Sequence, residues 1–83
     1  MLIDLKKQPE KYLSKCQKNM RIKLLNALKG LEDWNGDIIG LQGRKNEYRL
    51  KVPPFRIIFT YKMGDDVITV VKIDTRGDAY KKG

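Results

Sequence analysis

The segment Tyr48-Arg49-Leu50-Lys51-Val52-Pro53-Pro54-Phe55-Arg56-Ile57-Ile58-Phe59 constrains the fold more than any other part of the chain. From Tyr48 to Val52 apolar and basic residues alternate strictly, the period of a strand with one face buried. Pro53-Pro54 ends that strand, because proline cannot extend a central ladder. In Phe55-Arg56-Ile57-Ile58-Phe59-Thr60-Tyr61-Lys62 the odd positions are large and apolar. If the chain reverses at the prolines with Val52 opposite Phe55, Leu50 meets Ile57, Tyr48 meets Phe59 and Lys51 meets Arg56. That register gathers the apolar residues on one face and Arg49, Lys51 and Arg56 on the other. Arg49 and Lys51 then lie roughly 7 Å apart along their strand.

The flanking sequence supplies the rest of an α+β domain. Met1 to Leu5 reads as an edge strand. Pro9 suits the first turn of a helix, where its missing N–H costs nothing, and Tyr12, Leu13 and Cys16 share one side of it. Asn19 is the expected cap of a second helix, in which Met20, Leu24, Leu28 and Leu31 recur at helical spacing and Ile22 and Leu25 widen the stripe. Glu32-Asp33-Trp34-Asn35-Gly36-Asp37 reads as a loop. Gly64-Asp65-Asp66 marks a hairpin turn, and Val67 to Ile73 is a β-branched strand, apolar on both parities, so its inward face is left open. Coverage on both faces of a central strand would explain it. The expected architecture is two N-terminal helices on one face of a small, mostly antiparallel four-stranded sheet, with residues 1–83 as a single domain.

Composition narrows the function classes. The 83 residues carry 18 Lys and Arg against 10 Asp and Glu, a net charge of +8. Such an excess selects polyanionic partners: nucleic acid, an acidic protein or an anionic surface. The plainer account is a solvated surface that keeps the protein in solution. Eight of the basic residues fall between Lys6 and Lys29, with one acid, Glu10, among them. No His and a single cysteine, Cys16, argue against a zinc site and an internal disulfide. No cofactor or metal is expected, and the absence of His leaves no side chain with an ordinary pKa between about 5 and 8. No apolar run approaches the roughly 20 residues of a spanning helix, and the start of the chain does not read as a signal peptide. A cytoplasmic protein with no membrane role is the expectation.

Like charges placed opposite each other on a sheet destabilise it by roughly 0.2–1 kcal/mol. The only acid expected near Arg49, Lys51 and Arg56 is Glu47. Two accounts remain open, an anion site for phosphate and a solvated strand face whose cations prevent edge pairing. Trp34 is expected to cap the edge of the core, Cys16 to be a buried apolar residue, and Asp65-Asp66 to serve the turn.

The order and spacing of Tyr48-Arg49-Leu50-Lys51-Val52, Phe55-Arg56-Ile57-Ile58 and Val70-Val71-Lys72-Ile73-Asp74-Thr75-Arg76-Gly77-Asp78-Ala79-Tyr80 resemble the RelE/ParE toxin superfamily. The helical stretch from Glu10-Lys11-Tyr12-Leu13 through Arg21 to Leu31 resembles that family's helical hairpin. The resemblance implies the toxin of a toxin–antitoxin system. In the RelE branch this means ribosome-dependent, metal-independent cleavage of mRNA in the ribosomal A site, by attack of a ribose 2′-OH on the adjacent phosphate, so that translation stops. It implies an acidic antitoxin partner and allows a heterotetramer with it. Carried over by motif position, Arg49, Lys51 and Arg56 would hold the phosphate and stabilise the transition state. Arg76 would join them, and Tyr80 would stack on a base or assist proton transfer. The chain departs from the pattern at Pro53-Pro54, where many members have Gly-Asp, at Phe55 for a common Tyr, and at Thr75 for a common His. The alternatives are a ParE-type protein that inhibits DNA gyrase by binding, and a catalytically degenerate relative that only binds its antitoxin.

Overall fold

The computed structural model describes residues 1–75. The chain runs β1 (Leu2–Leu5), α1 (Lys7–Lys15), α2 (Lys18–Leu31), β2 (Asp37–Gly40), β3 (Glu47–Val52), β4 (Phe55–Thr60) and β5 (Val67–Thr75). The strands form one five-stranded sheet in the order β1-β5-β4-β3-β2. Strands β2 to β5 are antiparallel neighbours in sequence, while β1 pairs with β5 in parallel. The expected four-stranded sheet is thus corrected to five. The missed strand, β2, has four residues, begins with Asp37, ends with Gly40 and lies at an edge. So short an element takes its stability from its pairing with β3, not from local propensity.

One core fills the space between the helices and one face of the sheet. Leu13, Leu24, Leu28 and Leu31 come from the helices; Leu50, Phe55, Ile57, Phe59, Ile68, Val70 and Ile73 come from the strands, and all are buried. Gly36 leads the chain into β2 with φ +127°, and a Cβ there would lie 2.6 Å from Leu50 Cδ1. Only glycine tolerates both that backbone and that approach. Trp34 meets the rings of Tyr48, Phe59 and Tyr61 at 5.2–5.6 Å and closes the core edge as expected. Cys16 is half-buried against the core.

Three expectations about local structure change. The second helix is capped at Gln17, not Asn19, and Gln17 makes no side-chain capping bond. Its first turn instead supplies Arg21, whose Nε donates to the Leu13 carbonyl at 2.7 Å and whose Nη2 donates to Ser14 and Cys16 at 3.3 and 2.9 Å. Arg21 therefore satisfies the carbonyls left open at the end of α1. An Arg21→Ala variant is expected to lose about 1–3 kcal/mol in denaturant unfolding, against less than about 0.5 kcal/mol for Lys18→Ala at the exposed start of the helix. Equal effects would remove Arg21 from this role. The apolar stripe of α2 is also narrower than its sequence suggests, since Met20, Ile22 and Leu25 are exposed.

The third change concerns β5. Opposite Ile58 stands Lys72 and opposite Phe59 stands Val70, so Val71 is an extra residue bulged out of the ladder. A bulge inverts the alternation beyond it. Ile68 and Val70 face the core before it, and Ile73 faces the core after it. The mixed parity of this strand therefore reflects the bulge rather than cover on two faces.

Candidate functional site

The prolines close β3 onto β4 in the register that the alternation requires: Val52 opposite Phe55, Lys51 opposite Arg56, Leu50 opposite Ile57 and Tyr48 opposite Phe59. Lys23 of α2 donates from Nζ to the Pro53 carbonyl and ties the turn to the helix. With Leu50, Phe55, Ile57 and Phe59 inside, the structure brings Arg49, Lys51 and Arg56 together on the face away from the helices. Arg76 and Tyr80 lie outside the described residues.

The neighbours of these cations differ from expectation. Lys51 has Asp37 of β2 on one side and Arg56 on the other, and Arg56 has Asp74 of β5 beyond it. Asp37, Lys51, Arg56 and Asp74 make one row across four strands, with neighbours about 4.5–5.5 Å apart at Cα. Two like charges sit in the middle and a carboxylate sits at each end. Asp74 Oδ1 accepts from Arg56 Nε at 3.2 Å, and its Oδ2 lies 3.7 Å from Lys72 Nζ. Glu47, the acid expected to matter, pairs with Arg44 at 3.4 Å instead.

The adjoining row is Ile39, Arg49, Ile58 and Lys72. Arg49 is half-buried there, and its Nε is shielded from solvent with no hydrogen-bond partner among the described residues. Arg56 uses only Nε within the described residues, which leaves Nη1 and Nη2 to an incoming group. The arrangement offers two guanidinium ends and two ammonium groups to an anion, with carboxylates limiting the width of the positive strip. Bidentate guanidinium contacts suit phosphate better than a point charge does.

Gln8 holds the far end of β5 beside this face. Its Nε2 donates to the Ile73 carbonyl and its Oε1 accepts from the Ile73 N–H, both at 2.8 Å. The pairing of β1 with β5 stops at Val70, and the Gln8 amide continues it as a substitute strand. Asp74, Asp37, Lys72 and Gln8 were not singled out from sequence. The signal for Asp74 was present only as its position beside Ile73, and the bulge at Val71 hid which face it takes.

The revised electrostatics change the expected stability effects. Lys51→Gln is expected to shift unfolding by less than about 0.5 kcal/mol. Arg56→Gln, which leaves Asp74 without its guanidinium, is expected to cost about 0.5–1 kcal/mol, since the pair is partly exposed. Denaturant unfolding at low salt measures both, and a larger loss for Lys51 than for Arg56 would contradict the ion pairing described.

Among the described residues no three His, Cys, Asp or Glu gather as a metal site, and no helix is long and apolar enough to cross a membrane. No protein-family model matches the chain, and no curated protein sequence matches it. Solved structures do. RelE in the archaeal RelE–RelB complex from Pyrococcus horikoshii OT3 superposes with a TM-score of 0.74 at 24% identity, over 92% of this chain and 94% of that one. The isolated E. coli RelE toxin gives 0.75 at 18% identity, over 98% and 92%. The fold is that of the RelE toxins. The RelB–RelE antitoxin–toxin complex from Methanococcus jannaschii gives 0.71 at 20% identity, over 99% and 98%. The RelE-like fold therefore spans nearly the whole chain, and at these identities the likeness concerns the fold alone.

Proposed function

We propose that this protein is the toxin of a toxin–antitoxin system and a ribosome-dependent, metal-independent endoribonuclease that cleaves mRNA in the ribosomal A site and stops translation. The observation that carries the reading is the outward face of β3 and β4. There Arg49, Lys51 and Arg56 converge on a RelE-like fold, and the terminal nitrogens of Arg56 make no hydrogen bond among the described residues. In such a reaction the ribose 2′-oxygen attacks the adjacent phosphorus, the 5′-oxygen leaves, and a 2′,3′-cyclic phosphate remains. Fixed cations aimed at the phosphoryl oxygens stabilise the charge that develops there. In this reading Arg76 adds a further cation and Tyr80 stacks on a base or assists proton transfer.

An acidic antitoxin is the proposed protein partner. RelE proteins with this fold occur in complexes with RelB. On this chain Lys7, Lys11 and Lys15, at helical spacing, line a shallow groove together with Tyr12, Cys16 and Met20. Basic and apolar side chains on one groove suit an acidic amphipathic segment.

A second reading is a catalytically silent relative that only binds its antitoxin. It draws on the same row of the sheet, where Asp37 and Asp74 balance Lys51 and Arg56. Cell-free translation with the purified protein, followed by mapping of mRNA 5′ ends, separates the two. New 5′ ends inside ribosome-protected codons are expected; intact mRNA beside tight binding of an acidic antitoxin would favour the silent relative.

A further inference from the structure

We propose that Asp74 is a positioning residue of the phosphate site, which orients Arg56 for bidentate contact with a phosphate. The proposal rests on the phosphate-contact reading above and assigns a role to a residue outside the basic cluster itself.

Arg56 left alone would have a mobile side chain facing solvent beside the positive Lys51. Asp74 accepts from its Nε at 3.2 Å. A guanidinium has five N–H donors in a rigid plane, and a carboxylate held at Nε leaves the opposite end, Nη1 and Nη2, free as a fork. That fork is the part which meets two phosphoryl oxygens at once. The second carboxylate oxygen faces Lys72 Nζ at 3.7 Å, so one acid aligns two cations. Asp74 is itself well anchored. Its neighbour Ile73 is buried, and both the N–H and the carbonyl of Ile73 are bonded to the Gln8 amide. The bulge at Val71 is what turns Asp74 to the outward face opposite Arg56. The role is orientation and not proton transfer, because both oxygens are committed to cations.

A carboxylate beside an anion site has two opposed effects. It repels the ligand and it orders the group that binds it. The proposal therefore requires affinity and turnover to move differently. The experiment compares Asp74→Ala and Asp74→Asn, each with Arg56 intact and with Arg56→Ala. It measures binding of a single-stranded RNA oligonucleotide at several salt concentrations, and kcat and KM for mRNA cleavage on programmed ribosomes.

With Arg56 present, Asp74→Ala is expected to lower kcat about tenfold, less than the roughly 100-fold cost of a catalytic group misplaced by a full ångström, while RNA binding stays equal or becomes tighter. Asp74→Asn keeps an acceptor for Nε and is expected to recover most of kcat. In the Arg56→Ala background, Asp74→Ala is expected to change kcat less than about twofold, since residues acting through one another are not additive. Equal losses in both backgrounds, or an Asn variant no better than Ala, would overturn the proposal. If the wild-type protein cleaves no mRNA, the endoribonuclease reading falls separately and the binding measurements decide. An effect of Asp74→Ala on RNA affinity that differs between the Arg56 and Arg56→Ala backgrounds upholds the positioning role; the same effect in both overturns it.

Discussion

Phe59→Ala is expected to lower the unfolding free energy by about 3–5 kcal/mol, the range for removing a buried aromatic side chain and leaving its cavity. Phe59 is fully buried in the middle of the sheet. Its ring stacks on Tyr48 at 5.5 Å with an interplanar angle of 16° and meets Trp34 edge-on at 5.6 Å. Across β5 it stands opposite Val70, next to the bulge. The variant thus loses apolar burial, two ring contacts and the packing that holds Trp34 over the core edge. A domain of this size has on the order of 4–12 kcal/mol in total, so the variant is expected to be largely unfolded in mild denaturant. Met63, which is 90% exposed in the turn before β5, provides the comparison. Met63→Ala is expected to stay within about 0.5 kcal/mol of the parent. A loss below about 1.5 kcal/mol for Phe59→Ala would mean that the core can close around the gap, contrary to the packing described.

The largest expected effect on activity is that of Arg56→Ala. If the outward face of β3 and β4 stabilises a phosphoryl transition state, removing this guanidinium should reduce mRNA cleavage by about 100-fold or more, as for other preorganised donors aimed at developing charge. It should also flatten the dependence of RNA binding on salt by roughly 0.7–1 unit, the effect of one lost phosphate contact. Arg49→Ala is expected to change the salt slope by a similar amount. The fold should survive, because the Arg56–Asp74 pair is partly exposed and contributes about 1 kcal/mol at most. Lys29→Gln, exposed on α2 at the opposite side of the sheet, lowers the net charge without touching this face and separates a local effect from a general one. Full cleavage by Arg56→Ala, with an unchanged salt slope, would move the phosphate contact elsewhere on the protein.

The candidate site was legible in part. Arg49, Lys51 and Arg56 could be assigned to one face because their strands alternate without interruption and the two prolines mark the reversal. The acids around them could not. Asp37 sits in a strand too short to show a period, and Asp74 follows an irregularity in its own strand. The expectation of uncompensated repulsion between Lys51 and Arg56 therefore gave way to a row in which each cation has a carboxylate as its other neighbour.

The sequence by itself determined the β3–β4 hairpin, down to its register. A slip of β4 by one residue against β3 would have turned Phe55, Ile57 and Phe59 to solvent and Arg56 into the core, and burial free energy forbids that exchange. It also determined the two helices, through Pro9 near the start of one and Leu24, Leu28 and Leu31 along the other. Only the tertiary structure decided the fifth strand, the parallel pairing of β1 with β5, the capping of α1 by Arg21, and the meeting of Arg56 with Asp74, 18 residues away. These contacts join residues whose local surroundings are polar or irregular. They form because a neighbouring element offers an unpaired carbonyl, a free strand edge or an opposite charge, and no periodic pattern along the chain records such an offer.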